Sequence, residues 1–263
     1  VRLTWIAGLL LLISSAGLAA APLTVLVGQQ KPPYINTANI SGYEIELLAE
    51  VVKRMGYEPV FLFVPNARIK PLLEQGEGDI ASLQPVVTDE TGLFYSNPYI
   101  RYQNIAVSLA SDELVISHSS DLGRYSVLAF QSARTVLGPD FTDMASISAN
   151  YRETVDQQAQ LKMLLSRRVQ VVIMDRNIFN HYRLQQDSVE GLAIHALFSS
   201  TLYRAAFRDA AMQRAFDRAL LSVMLDSWHQ RLQRKYFGEE NQNLDHKMLC
   251  SDNQQTATRP KAL

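Results

Sequence analysis

The sequence predicts an α/β fold built from two units of similar size. Three observations lead there. After residue 22 the chain reads strand, helix, strand, helix, strand, the signature of a parallel sheet covered by helices. A polar run from Ser111 to Gly123 then interrupts the pattern. Beyond it, short apolar runs and stretches of helical spacing start to alternate again.

Leu23 to Val27 is a short apolar run and reads as the first strand. It ends in Gly28-Gln29-Gln30-Lys31-Pro32-Pro33-Tyr34, a proline-rich turn. Ser41-Gly42 precedes Tyr43 to Met55, where Ile45, Leu48, Val52 and Met55 recur at helical spacing and Gly56 stops the helix. Pro59 to Val64 reads as a second strand, Asn66 to Gln75 as a helix, and Asp79 to Leu83 as a third strand. Ligands of such a sheet bind beyond the carboxyl ends of its strands. Ser96-Asn97-Pro98-Tyr99 is turn-like, and Tyr102 to Leu109 reads as one long strand.

The second unit has a strand Ser126 to Phe130, a helix from Gln131 and a helix from Thr154 to Ser166. A strand Val169 to Met174, a helix Asp175 to Leu184 and a strand Leu192 to Ala196 complete it. Strand Leu202 to Phe207 and helices Asp209 to Val223 and Leu225 to Tyr236 close the pattern. From Glu239 onward the chain is polar and without periodicity, which predicts a frayed tail over 239–263.

The length of 263 residues allows one large or two ordinary domains, and 25 basic against 26 acidic residues leave no electrostatic footprint for nucleic acid. Between Arg2 and Lys31 there is no charged residue. One basic residue, an apolar run from Trp5 to Ile13 and small residues up to Ala21 match the three zones of a secretory leader. Cleavage after Ala19 is expected, giving a signal peptide over 1–19. An uncleaved anchor is the alternative, but the run falls short of the roughly 20 apolar residues that span a bilayer. The lone cysteine, Cys250, can form no internal disulfide, and export without disulfides fits a periplasm.

No Gly-rich phosphate loop, G-x-S-x-G elbow or H-E-x-x-H is present. The five histidines are scattered without metal-ligand spacing, so they read as surface or structural. Glu44/Glu46 and Asp89/Glu90 read as solvated acidic faces, and Arg204, Arg208, Arg214 and Arg218 as solvated charge. No residue is nominated as a nucleophile, and no cofactor or metal is implied.

Ser41-Gly42-Tyr43-Glu44-Ile45-Glu46-Leu47 resembles the "G-[FY]-[DE]-[VI]-[DE]-L" motif of periplasmic solute-binding proteins serving amino-acid ABC importers, bacterial extracellular solute-binding protein family 3. Further pieces follow in the same order. Gly76-x-x-Asp79 is similar to that family's "G-x-x-D". Val87-Thr88-Asp89-Glu90 with Tyr95-Ser96-Asn97-Pro98-Tyr99 is similar to "[IV]-T-x-x-R … F-S-x-P-Y". Ser120-Asp121-Leu122-Gly123-Arg124 matches "D-L-K-G-K", and Gln213 to Gly238 resembles the closing helices. The resemblance covers roughly residues 23 to 238. It implies a two-lobed type II periplasmic-binding-protein fold, with two mixed sheets joined by two hinge crossings and a ligand trapped by closure. Lobe 1 is expected over about 22–109 plus 198–238, and lobe 2 over about 110–197.

The resemblance also nominates site residues. The arginine that clamps a ligand carboxylate in the amino-acid binders is replaced here by Thr91, which cannot form two charge-assisted bonds. Gln84-Pro85-Val86 stands where the family often has serines. Asp175 sits where the family places an aspartate for the ligand's amino group, or it caps the following helix. Gln131-Ser132-Ala133 sits where the second lobe presents a helix N-terminus suited to an anion, with Arg134 as reinforcement or as a solvent-facing residue. Arg68 resembles a cleft-edge arginine and is a substitute clamp, unless it is merely exposed. Tyr34 is placed to stack on a ligand or to pack in the core, and Asn66 and Gln84 are polar candidates from lobe 1.

The function implied is capture of a small polar ligand, amino-acid-like or a related metabolite, for an ABC permease of the inner membrane, by hinge closure and without chemistry. The chain is expected to act as a periplasmic monomer. A module sensing the same ligand for a membrane receptor is one alternative. An enzyme resembling the cyclohexadienyl dehydratases is another, disfavoured by Thr91.

Overall fold

The computed structural model describes residues 20–85, 92–186 and 191–239. The expected leader over 1–19, Thr91 and the tail beyond Glu239 with Cys250 lie outside the described residues.

Two mixed sheets form the frame. The first takes β1 (Pro22–Val27), β2 (Glu58–Phe63), β3 (Ile80–Pro85), β4 (Phe94–Tyr95), β5 (Ile100–Tyr102) and β11 (Thr201–Phe207). The second takes β6 (Asn104–Leu109), β7 (Val127–Phe130), β8 (Tyr151–Thr154), β9 (Val171–Asp175) and β10 (Leu192–His195). In the first sheet β1 pairs in parallel with both β2 and β3, as the repeated strand–helix order requires, and β11 runs antiparallel to β3. In the second, β7 lies parallel to β8 and β9, while β6 runs antiparallel to β9 and β10. Strands β6 and β9 are buried at every residue, which is why they read as continuous apolar runs rather than alternating ones.

The helices follow their local signals. Helix α1 (Tyr43–Arg54) buries Ile45, Leu48, Val51 and Val52. Its acids lie in the first turn and Lys53 and Arg54 in the last, as the helix dipole favours. It starts at Gly42, whose φ of 120° and tight approach to the Tyr34 carbonyl leave no room for a Cβ. Helix α2 (Asn66–Gln75) runs between Pro65 and a left-handed Gly76, the two punctuation residues of the sequence. In the second lobe come α3 (Ala133–Val136), α4 (Pro139–Ile147), α5 (Gln157–Leu165) and α6 (Arg176–Arg183). Asp156 and Asp175 cap the last two. Helices α7 (Ala210–Met224) and α8 (Ser227–Phe237), capped by Asp209 and Asp226, return to pack on α1.

Four expectations are corrected. The long strand expected over 102–109 is two strands in different sheets, broken at Gln103. Residues 104–109, placed in lobe 1 by sequence, therefore sit in the second sheet. The helix expected from Gln131 begins at Ala133 and lasts one turn, and a separate helix follows at Pro139. The segment expected to be helical from Thr154 opens with a strand, Tyr151–Thr154, before α5. Glu44 is not on a solvated face: it is completely buried.

Two segments cross between the sheets, β5 to β6 through Gln103 and β10 to β11 through residues 196–200. The Gln103 side chain donates to the Phe198 carbonyl at 2.7 Å, which ties the two crossings to each other. One apolar cluster runs through both lobes, from Val25 and Leu48 to Leu161 and Phe179. No helix among the described residues is long and apolar enough to cross a membrane.

Candidate functional site

The two lobes meet at Asp175, the last residue of β9. Its Oδ1 accepts from the backbone N–H groups of Asn177 (2.9 Å) and Ile178 (3.2 Å), capping α6. The same oxygen accepts the Tyr34 hydroxyl from lobe 1 at 3.0 Å. Oδ2 accepts the N–H of Gln103, the hinge residue, at 2.9 Å. One carboxylate thus joins lobe 1, lobe 2 and a crossing. Burial pushes its pKa up, against the four donors that hold it down. Every partner it bonds is a donor, which suits the ionised form.

Tyr34 reaches Asp175 because its turn is built for it. Lys31 N–H donates to the Ile35 carbonyl (2.9 Å), and the Tyr34 and Ile35 N–H groups donate back to Lys31 (3.0 Å each). The Tyr34 ring is fully buried, 4.5 Å from the Tyr102 ring and 5.5 Å from Phe237. Its hydroxyl also accepts from Asn177 Nδ2 at 3.1 Å. Of the two roles expected for Tyr34, core packing is the one these contacts describe.

Beneath this junction lies a polar pocket of lobe 1. The Tyr99 hydroxyl donates to Glu44 Oε1 at 2.6 Å and accepts the Leu83 N–H at 2.9 Å. Glu44 Oε2, Ser82 Oγ and the Tyr102 hydroxyl are buried close to one another, with no well-formed hydrogen bond among the described residues. Burial raises the Glu44 pKa, partly offset by Lys31 and the neighbouring hydroxyls. The Lys31 ammonium lies 4.6 Å from the centre of the Tyr102 ring. Burial draws it below the ordinary lysine value, against the pull of Glu44 and Asp175.

The remaining expected residues fall into three groups. Gln84, almost fully buried, donates to the Ser82 carbonyl at 2.7 Å and so borders the Glu44 pocket. Asn66 and Arg68 are exposed in the first turn of α2, where Asn66 Oδ1 sits tightly over Gly28. Gln131, Ser132 and Arg134 are exposed at the end of β7. There the expected anion site is filled from within: Ser132 N–H and Arg134 N–H donate to the two Glu153 oxygens at 2.7 and 2.9 Å. The Tyr151 hydroxyl adds a third bond at 2.6 Å. Burial pushes the Glu153 pKa up, but these donors outweigh it and the net shift is downward. Arg134 itself stacks on Tyr151, 5.5 Å from the ring centre, and donates to the Ala145 carbonyl at the end of α4.

A cleft of about 600 Å³ opens between the lobes. Gln30, Lys31, Pro32 and Asn36 line one side, and residues 155–158 with Ile178, His181, Tyr182 and Gln185 line the other. Lys31, Glu44, Gln103 and Glu153 are the participants that the sequence reading missed. Lys31 had a signal, a charge inside a proline-rich turn at a strand's carboxyl end. Gln103 had none, because nothing local marks a residue where one strand run changes sheets. Among the described residues no three His, Cys, Asp or Glu side chains are grouped as a metal ion would need.

Solved structures share this architecture. An ancestral arginine-binding protein bound to arginine superposes with a TM-score of 0.68 at 20% identity, covering 83% of this chain and 99% of that one. The GluR0 ligand-binding core in complex with L-glutamate gives 0.69 at 19% identity, covering 84% and 100%. A substrate-binding protein of an ABC uptake transporter from Streptococcus pneumoniae with bound histidine gives 0.67 at 16% identity, covering 84% and 94%. A search among curated protein sequences finds no match. The sequence over residues 23–239 matches the family model of the bacterial extracellular solute-binding proteins, family 3, and that span holds both sheets, both crossings and the cleft between them. The chain belongs to the bacterial extracellular solute-binding proteins, family 3.

Proposed function

We propose that the chain is a periplasmic solute-binding protein that captures a small polar solute between its lobes and delivers it to an ABC permease. The observation that carries this reading is the junction at Asp175, where one carboxylate bonds lobe 1, lobe 2 and a hinge crossing beside a cleft of about 600 Å³. That volume is of the size small-molecule sites occupy, and its lining comes from both lobes, so closure encloses what it holds. Asp175 serves as cap and latch, and the role proposed for the chain is binding without chemistry. In the second reading the same closure is sensed by a membrane receptor. Permease and ATPase genes beside this gene separate transport from sensing.

The test is a thermal-shift screen of the purified chain against amino acids, amines and small organic acids. A ligand at 100 times its Kd stabilises the native state by about 2.7 kcal/mol. For a chain of this size that raises Tm by several degrees. A screen in which no solute moves Tm contradicts the proposal.

A further inference from the structure

The cleft carries a cation of its own. Lys31 lines it from lobe 1, and among the described residues its ammonium makes no hydrogen bond or ion pair. What holds it is aromatic: Nζ lies 4.6 Å from the centre of the Tyr102 ring and 6.0 Å from that of Tyr34. Its backbone is pinned by bonds to Tyr34 and Ile35. A half-buried ammonium with all three donors unused is an anion receptor by its chemistry.

The buried carboxylates that would attract an amine are already engaged. Asp175 accepts four donors and is 2% exposed. Glu44 is wholly buried, bonded by Tyr99 and facing the Lys31 charge. The other charged residue lining the cleft, Asp156, gives Oδ1 to the Ala159 N–H as the cap of α5 and is exposed to solvent, which screens the charge it keeps. The rest of the far wall is neutral, with Gln157, Gln185 and His181 able to hydrogen-bond. At Lys31 an entering ammonium meets a like charge, whereas a carboxylate meets an opposite one that makes no ion pair among the described residues and is balanced only at longer range by Glu44 and Asp175.

We propose that Lys31 is the recognition group of the cleft and that the solute is a small organic acid without an α-amino group, its carboxylate on Lys31. This rests on the solute-binding reading and specifies its ligand. It also supplies what Thr91 withholds, a positive group for a carboxylate, from a different element of lobe 1.

The experiment titrates the full chain with matched pairs, succinate against aspartate, glutarate against glutamate and lactate against alanine, and with putrescine, by calorimetry. At least one acid should bind tenfold or more tighter than its amino partner, with putrescine silent. Lys31→Gln should weaken that acid tenfold or more, and Lys31→Arg should weaken it less. An amino acid or putrescine binding as well as the acid overturns the proposal while leaving solute binding intact. So does Lys31→Gln with wild-type affinity. If Lys31→Gln fails to fold, the matched pairs on the wild type decide alone. No binding by any of the seven compounds rejects the organic-acid proposal, and the wider thermal-shift screen then judges solute binding itself.

Discussion

Replacing Tyr34 with phenylalanine removes one hydroxyl and keeps the ring, so it isolates the bond between the lobes. In the folded chain that hydroxyl donates to Asp175 at 3.0 Å and accepts from Asn177 at 3.1 Å. A hydrogen bond to a charged group contributes about 1.5–3 kcal/mol. Part is returned, because phenylalanine has no hydroxyl to desolvate and Asn177, only half-buried, can bond water instead. Asp175 keeps its three backbone donors. The expected loss is therefore about 1–2 kcal/mol, with Tm lower by about 2–8 °C. Urea denaturation measures it, with an unchanged m-value showing that only stability has moved. Asp175→Asn and the double variant complete a cycle, in which the coupling should exceed about 0.5 kcal/mol. A Tyr34→Phe protein as stable as wild type, or additive effects in the cycle, refutes the reasoning that this contact latches the lobes.

Three further outcomes follow from the same bonds. Glu153 has its folded pKa depressed, so its stabilisation is present above the ordinary value of 4.5 and fades as pH falls through the folded value. Glu153→Gln should lower Tm at pH 7, with the gap to wild type closing in acid, and a pH-independent gap would disprove the assignment. Glu44 is shifted the opposite way: its folded pKa is raised, so the folded state binds a proton more readily and stability falls as pH climbs from 4.5 through the folded value. The stability of Glu44→Gln relative to wild type should thus rise with pH in that window, and a flat difference counts against it. Gly42→Ala forces a Cβ to 2.3 Å from the Tyr34 carbonyl oxygen at a φ of 120°, and should cost about 2–5 kcal/mol. A variant that melts with wild type would mean this turn is not as tight as described.

Where chemistry is local, the sequence could be read residue by residue. Helix α2 runs from Asn66 to Gln75 as expected, because Pro65 and Gly76 act within one residue of its ends. The Gly138-Pro139 pair, on which α4 begins, went unread, although proline at a first helical position is a local signal of the same kind. Strand β8 was hidden for a different reason. It is an edge strand with Arg152 and Glu153 exposed, so it lacks the apolar run that betrays a central strand such as β9. The break at Gln103 could not be read either, since residues 100–102 and 105–107 both suit a strand and only their partners differ. Of the residues at the junction, Asp175 and Tyr34 were nominated by the family resemblance, for contact with a ligand or for capping and packing, and not for the bond they make to each other. Glu44 was not, because an acid in the first turn of a helix ordinarily faces water. Only the packing of Tyr99 and Tyr102 over it reveals otherwise.

Solution scattering tests the account of closure most directly. The chain should be unfolded, dialysed and refolded to strip any bound solute, then measured alone and with a solute that raises its Tm. Hinge closure predicts a larger radius of gyration without solute, and with it a curve that fits the arrangement in which Tyr34 meets Asp175. Identical curves in the two states would contradict capture by closure.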